Sequence, residues 1–148
     1  MFVTIIVFLL ILSLLVLIHE AGHFLFSLFS GQLLSILGGS ITQLAVPLLL
    51  LIYFLLVRNK FASGFCLFWF GNNFVNISPY LGDARCQCMD ITGTIHDWNF
   101  ILGQFNILDQ DKSLSTLVLV IGLSICFLSL ILLITNILKD FMQKMPHR

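Results

Sequence analysis

From Phe2 to Phe29 the only ionisable side chains are His19, Glu20 and His23, in the string His19-Glu20-Ala21-Gly22-His23. About 20 consecutive apolar residues suffice to cross the hydrocarbon core of a bilayer, so this run is a candidate span. Three further apolar runs follow, at 41–57, 61–81 and 114–138. Together they predict an all-α polytopic membrane protein with about four transmembrane helices, 2–29, 41–57, 61–81 and 114–138, in a single membrane-embedded domain of residues 1–148. Such a chain is expected to be integral to the lipid bilayer and multi-pass.

Charge supports that reading. Only 9% of the residues are charged and 59% are hydrophobic, whereas a soluble domain is about a quarter charged. The net charge is zero, which offers nothing to attract nucleic acid. The first run has no basic leader and no small-residue cleavage site, so it reads as a retained helix rather than a signal peptide. Pro47 falls inside the second run, where neighbouring helices can accommodate a kink.

The connectors differ in character. Residues 30–40 are uncharged and carry Gly31, Gly38 and Gly39. They predict a short re-entrant or β-hairpin segment beside the site, because irregular backbone at membrane depth must be surrounded by protein or line a water-filled cavity. Such a segment could also add an extended substrate as a strand. Arg58-Asn59-Lys60 reads as a tight basic turn. The polar connector at 82–113 holds Asp83, Asp90, Asp97, Asp109 and Asp111, five of the seven acidic residues.

The first run carries the chemistry. On a helix, positions i and i+4 share a face, so His19 and His23 can reach one metal ion. Glu20 is rotated to the side, where it can take a proton from an attacking water. Ionisable groups at membrane depth are costly unless paired or coordinated, which makes them functional candidates. A catalytic zinc site usually has three protein ligands and one open position, so one more ligand is needed. Runs one and three point the same way, which brings the polar connector to the side where His19 and His23 lie. Three residues compete: Asp83 at the end of the third run, taken first, then His96 and Asp97. Asp83 could instead pair with Arg85, and Asp97 could N-cap a short helix beginning at Trp98. The losers could orient a ligand imidazole.

A membrane-embedded His-Glu-x-x-His with a carboxylate at the third helix resembles the site-2 protease family of intramembrane zinc metalloproteases. The resemblance covers roughly residues 1–85. It implies one zinc ion, His19 and His23 as ligands, Glu20 as catalytic base, and hydrolysis of a peptide bond in or near a transmembrane segment of a membrane-protein or transmembrane-peptide substrate. The family's third ligand is an aspartate in an Asn-Pro-Asp-Gly or Leu-Asp-Gly type motif. This chain has Ser78-Pro79-Tyr80-Leu81-Gly82-Asp83 instead. The alternatives are a zinc hydrolase acting on a lipid-like substrate and a non-catalytic zinc-binding membrane protein. The latter would tolerate Glu20→Gln and could close the fourth metal position with Asp83 and His96.

Asn72, Asn73 and Asn76 within the third run predict interhelical hydrogen bonds. Cys66 and Cys126 read as packing residues. Cys86 and Cys88 form a C-x-C that could bind metal or bridge to another chain, since cysteines so spaced rarely pair with each other. Orientation is contested by two signals. Arg58, Lys60, Lys139, Lys144 and Arg148 fall on one side, against Arg85 and Lys112 on the other. The positive-inside rule then places both termini in the cytoplasm and the metal site toward the outer face. The family resemblance implies the opposite.

Overall fold

The computed structural model describes residues 2–29, 31–89 and 96–144, with side chains from Ser13 to Gln143. Ser30, Asp90 and Arg148, and the side chain of Lys144, lie outside the described residues. The fold is all-helical, with no strand among the described residues. Among the described residues the helices follow in the order α1 (Phe2–Phe29), α2 (Gln32–Leu56), α3 (Lys60–Gly82), α4 (Asp97–Gln104) and α5 (Asp111–Lys144). A short 3-10 turn at Leu108–Gln110 leads into α5.

The long helices form a row in which α1 packs on α2, α2 on α3, and α3 on α5, while α4 leans against α2 and α3. Two stretches, Gln32–Leu56 and Leu108–Gln143, are long and apolar enough to cross a membrane. Large apolar side chains such as Leu56, Phe61 and Phe127 stand mostly exposed on the outside of the row. Apolar patches of this kind mark surfaces that something else must cover.

The element boundaries correct one expectation. Residues 32–40 form neither a re-entrant loop nor a β-hairpin, but the first turns of α2. Gly31 is the extended N-cap residue (φ −67°, ψ 172°), and its carbonyl accepts the Ser35 amide at 3.1 Å. A helix pairs the backbone polar groups of this apolar stretch internally, which a hairpin at its edges does not. The strand-addition reading of residues 30–40 therefore loses its platform. The glycines serve helix packing instead: a Cβ on Gly22 would lie 2.2 Å from the Gly38 carbonyl oxygen, and one on Gly38 would lie 2.6 Å from that of Gly22. Small residues let helix backbones approach this closely.

The α3–α5 contact follows the same rule. Gly71 and Gly122 face one another there. Ser129 Oγ donates to the Gly64 carbonyl at 2.6 Å, Ser78 Oγ donates to that of Ser115 at 2.9 Å, and Ser115 Oγ donates to that of Ser78 at 2.8 Å. Cys66 is buried in α3, and the Cys126 thiol points to the Phe68 carbonyl.

Two glycines give opposite predictions. A Cβ on Gly122 would lie 2.8 Å from the Gly71 carbonyl oxygen and 2.9 Å from the Val75 nitrogen, both unyielding backbone. Gly122→Ala is expected to destabilise the protein by about 1–3 kcal/mol. A Cβ on Gly103 meets nothing within 4 Å, so Gly103→Ala should stabilise α4 by about 0.5–1 kcal/mol. Thermal unfolding of both variants in detergent checks the pair, and equal effects would contradict the packing described.

Candidate metal centre

Helix α1 places His19 and His23 one turn apart, ring centroids 4.7 Å from each other. Their Nε2 atoms are 3.1 Å apart. Asp97, the first residue of α4, brings its Oδ2 to 3.4 Å from His23 Nε2. The three donor atoms all lie within 4.8 Å of one another. Zinc–nitrogen bonds of about 2.0–2.1 Å in tetrahedral geometry imply donor–donor edges of about 3.3 Å, close to the two measured edges.

The hydrogen bonds around the rings decide which nitrogens face inward. His23 Nδ1 donates to the Ser35 carbonyl at 2.8 Å. A carbonyl can only accept, so Nδ1 carries the proton and the Nε2 of the neutral ring presents a lone pair. His19 is fixed by a longer route that begins at Pro47. Proline has no N–H, so the carbonyl four residues earlier, that of Gln43, loses its helical donor. Asn73 Nδ2 of α3 fills the gap, donating to the Gln43 carbonyl at 2.6 Å. Asn73 Oδ1 is thereby turned to accept from Gln43 Nε2 at 3.4 Å. Gln43 Oε1 then faces α1 and accepts from His19 Nδ1 at 3.1 Å. Both histidines thus aim Nε2 lone pairs at the same small volume. Two lone pairs 3.1 Å apart repel unless a cation, proton or metal, lies between them, and the adjacent Asp97 carboxylate adds a third donor of the kind a divalent cation takes.

Gly39 supplies the space. A Cβ there would lie 2.4 Å from His23 Nε2 and 2.6 Å from His19 Nε2. The residues present therefore fit a metal ion: two oriented imidazoles, one carboxylate, and a glycine where any side chain would intrude. Glu20 is exposed on α1 beside His19, within electrostatic range of Asp97.

The other candidates are placed elsewhere. Asp83 caps the C-terminal end of α3 and accepts from the Cys88 and Met89 amides at 3.0 and 2.9 Å. Its Oδ2 lies 3.5 Å from Nε2 of the buried His96. His96 is the N-cap of α4: its Nδ1 accepts the Asn99 amide at 3.3 Å, which leaves the ring proton on Nε2, facing Asp83. The cap is therefore His96 and not Asp97, and the helix starts one residue earlier than the sequence suggests. Arg85 pairs with Asp111 at 3.6 Å rather than with Asp83. Cys86 and Cys88 are joined to each other by a disulfide, contrary to the expectation for that spacing. Although Asp83 lies close to both sulfurs, those sulfurs are spent on each other and the carboxylate on backbone amides. Of the three asparagines of α3, Asn73 is fully buried and bridges helices as expected, whereas Asn76 is exposed.

Charge separates the two aspartates. The Met89 amide, then that of Cys88, and the His96 ring hold the Asp83 carboxyl below the usual carboxylate range against partial burial. Burial pushes the Asp97 carboxyl up, with the neighbouring imidazoles of His23, His19 and His96 acting against it and Glu20 adding to the rise.

Gln43, Ser35, Gly39 and Tyr80 complete the surroundings. Tyr80 Oη accepts the Asp97 amide at 3.2 Å, and its ring lies against that of His96 with centroids 4.3 Å apart. No protein-family model, characterised protein or solved structure matches the chain.

Two outcomes follow from this geometry. Gly39→Ala should abolish metal uptake while leaving the helix intact, and Gln43→Leu, which releases His19 Nδ1, should weaken metal affinity about 10–100-fold. Metal content by elemental analysis after gentle purification, with far-ultraviolet circular dichroism alongside, checks both. The Asp83 interaction also has a defined pH sense. Its folded value lies below its unfolded one, so its contribution is present above the ordinary carboxylate range and disappears as pH falls through the folded value. Wild type should lose thermal stability over that acidic window, while Asp83→Asn, lower at neutral pH, should show a flatter profile.

Proposed function

We propose that the chain is an intramembrane zinc metalloprotease that cleaves a peptide bond in or near a transmembrane segment. The observation that carries the reading is the convergence of His19 Nε2, His23 Nε2 and Asp97 Oδ2, with both Nδ1 protons engaged elsewhere. Three donors leave a fourth position for water or substrate, the arrangement of a catalytic rather than a closed zinc site. Asp83 and His96, which a closed site would recruit, are engaged with one another.

A membrane setting is supported by α2 and α5, and the reading extends it to four spans. At a rise of 1.5 Å per residue, the 28 residues of α1 and the 23 of α3 also exceed the hydrocarbon thickness of about 30 Å. His23 lies six residues before the end of α1, roughly 9 Å along the axis, so on this reading the site belongs near one end of the span, within reach of water from that side.

Zinc, when bound, supplies Lewis acidity toward the scissile carbonyl and acidifies the attacking water. His19, His23 and Asp97 hold the ion in place. Glu20 takes the proton of the attacking water and returns it to the leaving amine, the role its position beside His19 allows. Asp97 offers its carboxylate from the start of α4, so the ion would be held between that helix and α1.

Wild type and Glu20→Gln are expected to hold about one zinc each by elemental analysis, whereas alanine at His19, His23 or Asp97 removes it and alanine at Asp83 or His96 does not. Against a panel of single-span membrane peptides in detergent, Glu20→Gln should lose activity by a factor of about 10²–10⁴. A wild type that takes up no metal, or a Glu20→Gln variant that cleaves as well as wild type, defeats the proposal.

A further inference from the structure

A peptidase of this kind needs a hydrogen-bond donor for the carbonyl oxygen that gains negative charge during attack, and the described residues around the metal centre offer few. The Asn99 side-chain amide donates one N–H to the Ala84 carbonyl at 2.8 Å, that of Gln43 donates one to Asn73, and the Ser35 hydroxyl donates to the His23 carbonyl at 3.4 Å, so each is already held toward another partner. The Trp98 indole N–H has no acceptor, but it is sealed from any substrate. Tyr80 differs. Its Oη already accepts the Asp97 amide, so the oxygen is held in place, while its own O–H proton meets no acceptor among the described residues. The ring is clamped against His96. The side chain is only partly buried, and it lies within electrostatic range of both Asp97 and Glu20.

Resting on the protease reading above, we propose that Tyr80 is a further catalytic residue, donating its hydroxyl hydrogen bond to the substrate carbonyl oxygen as that oxygen becomes negatively charged. The assignment follows from position and from unspent capacity. Fixed donors aimed where charge develops cost no reorganisation at the moment of reaction. Tyr80 is fixed twice, through the amide of one proposed ligand and through the ring of the residue that caps the same helix. No bond to Tyr80 forms or breaks, and the phenol keeps its proton throughout.

Tyr80→Phe keeps the ring against His96 and deletes the hydroxyl. The zinc-loaded variant should still hold about one zinc and bind a phosphinic peptide, which carries a tetrahedral oxyanion, 10- to 100-fold more weakly than wild type. On cleaved membrane peptides, kcat should fall about 10²–10³-fold with KM little changed. Equal affinity for the phosphinic peptide in wild type and Tyr80→Phe overturns the assignment. So does loss of zinc from Tyr80→Phe, which would make Tyr80 a positioning residue acting through Asp97. If wild type itself holds no zinc, the protease reading fails first, and that result is separable because it precedes any comparison at Tyr80.

Discussion

One missing backbone hydrogen determines the polarity of the network that reaches the candidate metal centre. Pro47 leaves the Gln43 carbonyl without its helical partner, and a carbonyl in that position can only accept. Asn73 must therefore present its amide nitrogen there, its oxygen must face Gln43 Nε2, and Gln43 must turn its own oxygen toward His19. No step in this sequence is reversible without leaving a buried group unpaired, which costs about 1–3 kcal/mol. Its end point is a histidine with a defined tautomer, 24 residues away from Gln43 in sequence and on another helix. A proline that reads as a kink in an apolar helix thus orients a candidate metal ligand.

The close approach of α1 and α2 makes that contact possible. Gly22 and Gly38 allow the two backbones to meet, and Gly39 leaves room for the imidazoles. The His-Glu-x-x-His string was fully legible in the sequence because its logic is local: residues four apart share a helical face. The glycines opposite it were not. Gly-Gly is punctuation in a soluble sequence and suggested a break near residue 40, yet here each glycine has a partner on α1 that only the fold reveals. Between lipid-facing helices, small residues mark contact as often as they mark turns.

The aspartates show the same division. Sequence order predicts that the polar connector returns to the end of α1 where the histidines lie, and the structure sets Asp97 of that connector against His23. Which carboxylate arrives there depends on the competing demands of backbone amides. Asp83 sits at a helix C-terminus, where the chain turns sharply enough to direct the Cys88 and Met89 amides back at it. A carboxylate with two such donors is satisfied and has little to gain from moving. Asp97 has no amide donors to its carboxylate in the described structure and lies beside two imidazoles, so it is the one left seeking a cation. Residue type and position put Asp83 first of the three, because it stands at the end of the third run, and local turn geometry takes its carboxylate elsewhere.

The two halves of the centre are consequently held by independent means. His19 and His23 are anchored to α2, through Gln43 and the Ser35 carbonyl. Asp97 is anchored to α3, through the Tyr80 hydroxyl and the His96–Asp83 contact behind it. A structural metal site gains most when all its ligands belong to one rigid unit, because the ion then staples that unit together. A catalytic site gains from something different: ligands fixed before the metal or the substrate arrives, each braced by a partner that is not itself a ligand. On the protease reading proposed above, the bracing here has the second character. Burial raises the Asp97 carboxyl while the imidazoles beside it draw it down. A divalent cation there would relieve the lone-pair repulsion at the histidines and the desolvation of the aspartate at once, and neither Asp83 nor His96 is positioned to do the same.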